Sequence, residues 1–329
     1  LKDAASSALY GARGAAGVII ITTKKGRTRE AEISVDMKWG ANSRAIQEYD
    51  VIKDPGQYYE AYYSQLYNKY FYADGMSAAN ANTKANSTML QQLAYNCYTV
   101  PEGQLLIGAD GKLNPAATLG RTYERNGEKY YMTADDWNDA AYKNALRQEY
   151  NVSAKGMTDR SSFYMSLGYL NEDGIIDRSS YERISGRIKA DYQAKKWLKL
   201  GVNAQYVNSL MKSNPNLSSS TNSTNLMYFT SSIAPIYPIY IRQVDEDGNI
   251  YIKKDQYGHE AYDYGLPSGY GVTRPFLSTG NPLGNNRYND VKTGFNQINA
   301  SVFADVIFTD WLKFNATSTI IYGINDYTN

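Results

Sequence analysis

Cys97 and His259 are single residues of their kinds in a chain of 329. A Cys/His nucleophile pair or a zinc site would need both solitary side chains to meet, and one cysteine closes no internal disulfide. The carboxylates offer more. Asp135-Asp136 and Asp245 with Asp247 resemble the paired carboxylates of a glycosidase only if their spacing is ignored. Turn and capping duties suit these aspartates better, because neighbours on a chain rarely aim at one bond. Asp245-x-Asp247-x-Asn249 begins like a calcium loop, yet its sixth position, which needs glycine for a sharp turn, is Ile250. No nucleophile, base and orienting group stand together at a recognisable spacing. The sequence therefore designates no catalytic residue, no metal ligand and no cofactor, and the expected protein is not an enzyme.

Charge narrows the field further. With 34 basic against 33 acidic side chains there is no global field to recruit nucleic acid. The compositional oddity is 32 tyrosines against 8 phenylalanines; tyrosine is favoured in strands, at membrane interfaces and on sugar-facing surfaces. Tyr59, Tyr63, Tyr67 and Tyr70 could stack on sugars, but packing a loop helix or resting at headgroup level is the plainer expectation. The longest apolar run, Ala15 to Ile21, is far short of the ~20 residues of a membrane helix.

The elements that would carry these residues fall into two kinds. In the first 28 residues, Asp3 can cap a short helix, Gly11 suits its left-handed end, and Gly11, Gly14 and Gly17 bracket Arg13 in a tight reversal before a β-branched run from Val18 to Thr23. That glycine spacing fits neither a dinucleotide nor a P-loop fingerprint. Arg13 either holds its own turn or bonds a carboxylate such as Glu149. From Glu32 onward the period changes to two, with alternating segments around residues 33–39, 150–154, 163–169, 184–192, 198–206, 298–306 and 312–320. Most have the length of a tilted membrane strand. Their connections alternate long and short (42–146, 156–161, 171–182, 193–196, 211–291, 309–311), as in a barrel with tight turns at one end and elaborated loops at the other. Trp197 and Trp311 follow short turns, where an aromatic girdle falls. The barrel reading requires Ile184, Ile188, Leu200, Val202 and Val302 to face outward and Arg187, Lys189 and Asn203 to face the lumen.

The long connections carry folding signals of their own. Asp54-Pro55 reads as an N-cap and first turn, and Thr133 with Asp136 as a capping box for a helix through Trp137 and Ala141. Arg125-Asn126-Gly127-Glu128 and Glu246-Asp247-Gly248-Asn249 read as hairpin turns. Ser213 to Asn225 has too little apolar surface to pack and is expected to be mobile.

Several stretches together carry a resemblance: "LKDAASSALYGARGAAGVIIITTKKG", "DDWNDAAYKNALRQEYNVSAKGMTDRSSFYMSLGYLNEDGII", "RISGRIKADYQAKKWLKLGVN" and "STGNPL". They resemble the SusC/RagA family of TonB-dependent outer-membrane transporters of Bacteroidetes, with Trp137, Ser153 to Gly156, Tyr164 to Tyr169, Gly174, Trp197 to Gly201 and Asn281-Pro282-Leu283 matching its pattern. The resemblance implies an all-β membrane protein, part of a large antiparallel transmembrane β-barrel preceded by the α/β tail of a plug. Residues 1–28 would end the plug, and 29–329 would begin the barrel, with extracellular loops over about 42–146, 171–182 and 211–291. It implies TonB-dependent import of an oligosaccharide, or a peptide, across the outer membrane, with a SusD-like surface lipoprotein, the TonB-ExbB-ExbD complex acting through an absent N-terminal region, and outer-membrane lipid as partners. The alternative is a receptor for an iron chelate or vitamin that needs no lipoprotein lid. Plugged barrels have about 22 strands, so the seven strands legible here are expected to be a fragment whose open edges would promote aggregation in isolation.

Overall fold

The computed structural model describes residues 29–45, 50–213, 225–265, 273–278 and 280–328. The helix, turn and strand expected over 1–28, with Asp3, Gly11, Arg13, Gly14 and Gly17, lie outside the described residues, as does most of the Ser/Asn/Thr-rich stretch, 214–224. In chain order the elements are β1 (Glu32–Asn42), α1 (Pro55–Asn68), α2 (Ala78–Leu93), β2 (Tyr98–Thr99), β3 (Thr118–Leu119), β4 (Arg121–Arg125), β5 (Glu128–Met132) and α3 (Trp137–Ala141). There follow β6 (Ala145–Met157), β7 (Ser161–Asp173), β8 (Ser180–Lys195), β9 (Leu198–Ser213), α4 (Leu226–Ser232), β10 (Arg242–Val244), β11 (Ile250–Ile252), α5 (Pro282–Tyr288), β12 (Val291–Ile307) and β13 (Lys313–Thr328).

Seven long strands form one antiparallel sheet in the order β1-β6-β7-β8-β9-β12-β13, every neighbour pair being consecutive once the insertions are set aside. Because strand side chains alternate, the register sorts them into two faces. One cross-strand row runs Ala154, Met165, Ile188, Ala204, Ala300, Ile320, and the adjacent row runs Lys155, Tyr164, Lys189, Asn203, Ser301, Thr319. The first face is apolar and bare: Ile188 is 57% and Leu167 70% exposed. The second is polar and internally paired, through Lys199–Asp191 at 2.8 Å, Lys155–Glu32 at 3.0 Å and Arg147–Glu149 at 2.9 Å. Ile184, Ile188, Leu200, Val202 and Val302 share the apolar face, and Arg187, Lys189 and Asn203 the polar one. The sheet is open, with β1 and β13 at its edges.

The strands run further than their alternation alone suggests. The tight connections are residues 158–160, 196–197 and 308–312, with Trp197 and Trp311 both exposed in them. The connections at the other end are 43–144, 174–179 and 214–290. The β7–β8 loop, expected over 171–182, is thus a short turn, because Asn171, Glu172 and Asp173 continue the ladder opposite Glu182, Tyr181 and Ser180. Polar residues hide a strand end from a periodicity reading, since hydrogen bonding needs no apolar side chain.

The two large insertions fold together into a cap. Its core is tyrosine-rich: Tyr59, Tyr63 and Tyr70 from the α1 region meet Ala81, Ala85 and Met89 of α2. Asp54 caps α1 through the Gln57 amide at 2.7 Å, with Pro55 at its first position. A second sheet, β11-β10-β5-β4, joins the two insertions. Its β4–β5 turn is Asn126-Gly127, both at positive φ (53° and 79°), as a two-residue hairpin of this hand requires. Among the described residues, the compact apolar core therefore lies in the cap.

Candidate functional site

The cap is held over the sheet by polar contacts that cross between the insertions. Asp136 caps α3 by accepting from the amides of Asn138 and Asp139, both at 2.9 Å. The capping box expected from Thr133 does not form: the Thr133 amide and carbonyl are both taken by the Tyr95 hydroxyl. Asp135 receives a two-pronged bond from the Arg242 guanidinium and a third from the Ile239 amide. In the second insertion, Asp245 closes the β10–β11 turn by accepting from the Asn249 amide and side chain. These aspartates are structural, as turn and capping chemistry requires.

The geometry of Asn281 explains the following helix. Its fully buried side chain caps α5 through the Gly284 amide at 3.0 Å and donates to the carbonyls of Ile239 and Asp263 at 3.0 and 2.9 Å. Gly284 lets α5 ride against the preceding segment, since a Cβ there would stand 2.6 Å from the Tyr264 hydroxyl and 2.9 Å from the Tyr262 ring. Beside it Arg274, almost wholly buried, donates to the Leu277 and Gly280 carbonyls and lies over the Phe229 and Tyr237 rings. Its partner Asp263 is 3.7 Å away. Burial raises the Asp263 carboxyl and lowers the Arg274 guanidinium from their usual values, the cost of desolvating both.

Where α5, α3, the β7–β8 turn and the segment after β11 converge there is a cleft of about 580 Å³. Lys143, Arg178 and Arg287 supply its cations, and Tyr240, Tyr262 and Tyr288 its rings. Every one of these side chains is positioned by a neighbour. Lys143 bonds Asp177 at 2.8 Å, which holds the Asp177 carboxyl below its usual range. Arg178 donates to the Arg287 carbonyl. The Arg287 guanidinium lies beside the Tyr262 phenol, whose proximity raises it further above its usual value. Tyr240 and Tyr262 lie with ring centres 4.9 Å apart, and Tyr288 donates to Asp255 at 2.9 Å. His259 also lines this cleft, 6.1 Å from the Tyr288 ring centre. Such a site can grip a polar ligand by charge and ring contact.

The tyrosines singled out by sequence serve the cap core instead. Tyr59 donates to the Tyr95 carbonyl, while Tyr63, Tyr67 and Phe71 stack in series at 5.7 and 5.5 Å. Cys97 is fully buried against Tyr59, and burial pushes its thiol up to about 12. Glu149, the carboxylate considered for Arg13, accepts from Arg147 and Asn151. Sequence reading missed Arg178, Arg287, Tyr240, Tyr262 and Tyr288. No spacing links them, and the one usable signal was the Asn281-Pro282 helix start that delivers Arg287 and Tyr288.

A meander of long strands with one bare apolar face, one ion-paired face and a folded cap at one end is a section of a β-barrel wall. No protein-family model matches the chain. Among curated proteins it is similar to the TonB-dependent receptor SusC of Bacteroides thetaiotaomicron, 27% identical over 210 residues, 63% of this chain and 15% of that protein. It is also similar to the TonB-dependent receptor P39 of Formosa agariphila, 24% identical over 61% of this chain and 14% of that one. Among solved structures, the RagAB peptide importer in its open-open state superposes with a TM-score of 0.62 at 19% identity, covering 98% of this chain and 31% of that chain. The RagAB peptide transporter gives 0.61 at 18%, with the same coverage. The chain is thus similar in sequence to SusC and other TonB-dependent receptors and shares the fold of the RagAB chain, and it spans under a third of the solved chains it matches.

Proposed function

We propose that residues 29–329 supply part of the barrel wall and extracellular cap of an outer-membrane importer, and that 1–28 end its plug. The cargo is a nutrient, an oligosaccharide before a peptide, moved by TonB-driven rearrangement of the plug. A SusD-like lipoprotein covers the cap, as the partnership in the name RagAB suggests. No covalent chemistry is done on the cargo. The observation that carries this reading is the segregation of the seven-stranded sheet into a bare apolar face and a charged face, with the elaborated connections gathered into one cap. A bilayer is the solvent that such an apolar face requires.

The test is to purify the complete receptor from outer membranes and identify by mass spectrometry what accompanies it. A stoichiometric surface lipoprotein is the expected result. A plugged barrel that purifies alone would overturn the lidded importer and favour a chelate or vitamin receptor.

A further inference from the structure

The cleft between α5, α3 and the β7–β8 turn concentrates like charge. Arg178 and Arg287 both line it, the Arg178 guanidinium donating to the Arg287 backbone carbonyl while the Arg287 side chain lies beside Tyr262. Behind them Lys212 and Lys292 face each other directly across the β9–β12 ladder, a pairing that is unfavourable in itself. Asp290 is the carboxylate set among them, and it lies closer to Lys292, at 2.5 Å, than to Arg178, at 3.8 Å. Asp177 is engaged by Lys143. On the opposite wall Asp255 is taken by the Tyr288 hydroxyl and the Tyr257 and His259 amides, while Glu260 lies within electrostatic range of Arg287. Among the residues that line the cleft, Lys143, Arg178 and Arg287 stand against the one carboxylate of Asp177, whereas Lys212 and Lys292 lie outside the lining. A fold retains such an excess at a cost that a bound anion relieves.

The rings set the rest of the chemistry. Tyr240 and Tyr262 pack ring against ring, with centres 4.9 Å apart, and Tyr288 is tied to Asp255, so these aromatic side chains lose little rotamer freedom on binding. The aliphatic lining is confined to Ala140 and Leu283. A volume of about 580 Å³ is in the range of small-molecule sites. We propose that this cleft is a binding subsite for a carboxylate-bearing saccharide, with Arg178 and Arg287 holding the anionic group and the three tyrosines contacting the sugar faces. The inference rests on the importer reading and narrows its cargo to acidic glycans.

The test is calorimetric titration of the complete receptor in detergent with galacturonic acid oligomers, neutral galactose oligomers and an acidic peptide. The uronate oligomer is expected to bind about tenfold or more tighter than the neutral one, with R287Q removing that preference. Binding to wild type should weaken with ionic strength. Y288A should weaken both sugars, and R178Q should repeat R287Q; an unaltered heat-modifiable band checks that each variant is folded. Equal affinity for the neutral oligomer, uronate binding indifferent to R178Q and R287Q, or preference for the peptide would each overturn the proposal. A receptor that imports a neutral glycan but binds no uronate fails this inference alone. One that binds uronate while its strain imports no glycan fails the importer reading alone.

Discussion

Asp135 and Arg242, 107 residues apart in sequence, meet in a two-pronged ion pair at 2.7 and 2.9 Å. The pair joins the start of α3, from the first insertion, to β10, from the second, and it makes the cap one body across two breaks in the barrel wall. With about a sixth of each side chain exposed (16% and 17%), neither charge is well hydrated. Asp135→Ala should remove two bonds from the Arg242 guanidinium and one from the Ile239 amide, destabilising the cap by about 1–3 kcal/mol. Proteolysis of the cap checks this, and R242A combined with D135A should cost clearly less than the two single changes summed.

Cys97 provides the readout for cap opening. A fully buried thiol whose pKa is raised to about 12 holds a thiolate fraction on the order of 10⁻⁴ at pH 8. A maleimide should leave the folded cap unlabelled and react once it opens. Labelling should therefore track cap stability and accelerate in D135A. Rapid labelling of the native protein would contradict the burial.

Asn281→Ala should remove the α5 cap and two donors to buried carbonyls at once. The expected loss is about 2–4 kcal/mol, since buried groups are left unpaired. Asn281→Asp should not rescue it, because a carboxylate keeps the cap acceptor but faces the Ile239 and Asp263 carbonyls. Both variants should label Cys97 faster.

Facing can be tested strand by strand. Ile188→Arg places a charge on the bare apolar face and should cost about 2–4 kcal/mol if it meets the middle of a bilayer. Lys189→Leu, one residue on and on the polar face, should assemble normally. Heat-modifiable mobility of the barrel in outer-membrane extracts distinguishes them; equal assembly of both variants would deny the lipid-facing assignment.

The cap should loosen in acid through Glu60. Burial raises its carboxyl, but the Leu113 amide and Lys112, each at 2.9 Å, outweigh burial and hold it below its usual value. A depressed folded pKa contributes stability above the unfolded value, near 4.5, that is lost as pH falls through the folded value. Proteolytic cutting of the 101–117 loop should thus rise below about pH 4.5, and Glu60→Gln should flatten that dependence.

Alternation in Ile184, Ile188, Leu200, Val202 and Val302 against Arg187, Lys189 and Asn203 determined the barrel strands and their faces, because a period of two is local and survives any tertiary arrangement. Asp54-Pro55 and Asn126-Gly127 likewise declared a helix start and a hairpin by backbone chemistry alone. The strand ends at Asn171 to Asp173 were invisible, since their ladder depends on partners and not on apolar pattern. The cleft was decided by tertiary structure alone. Lys143, Arg178, Tyr240, Tyr262 and Arg287 come from five separate places in the chain. Only the folding of two insertions against one barrel turn, held by Asp135–Arg242 and Asn281, brings their charges and rings together.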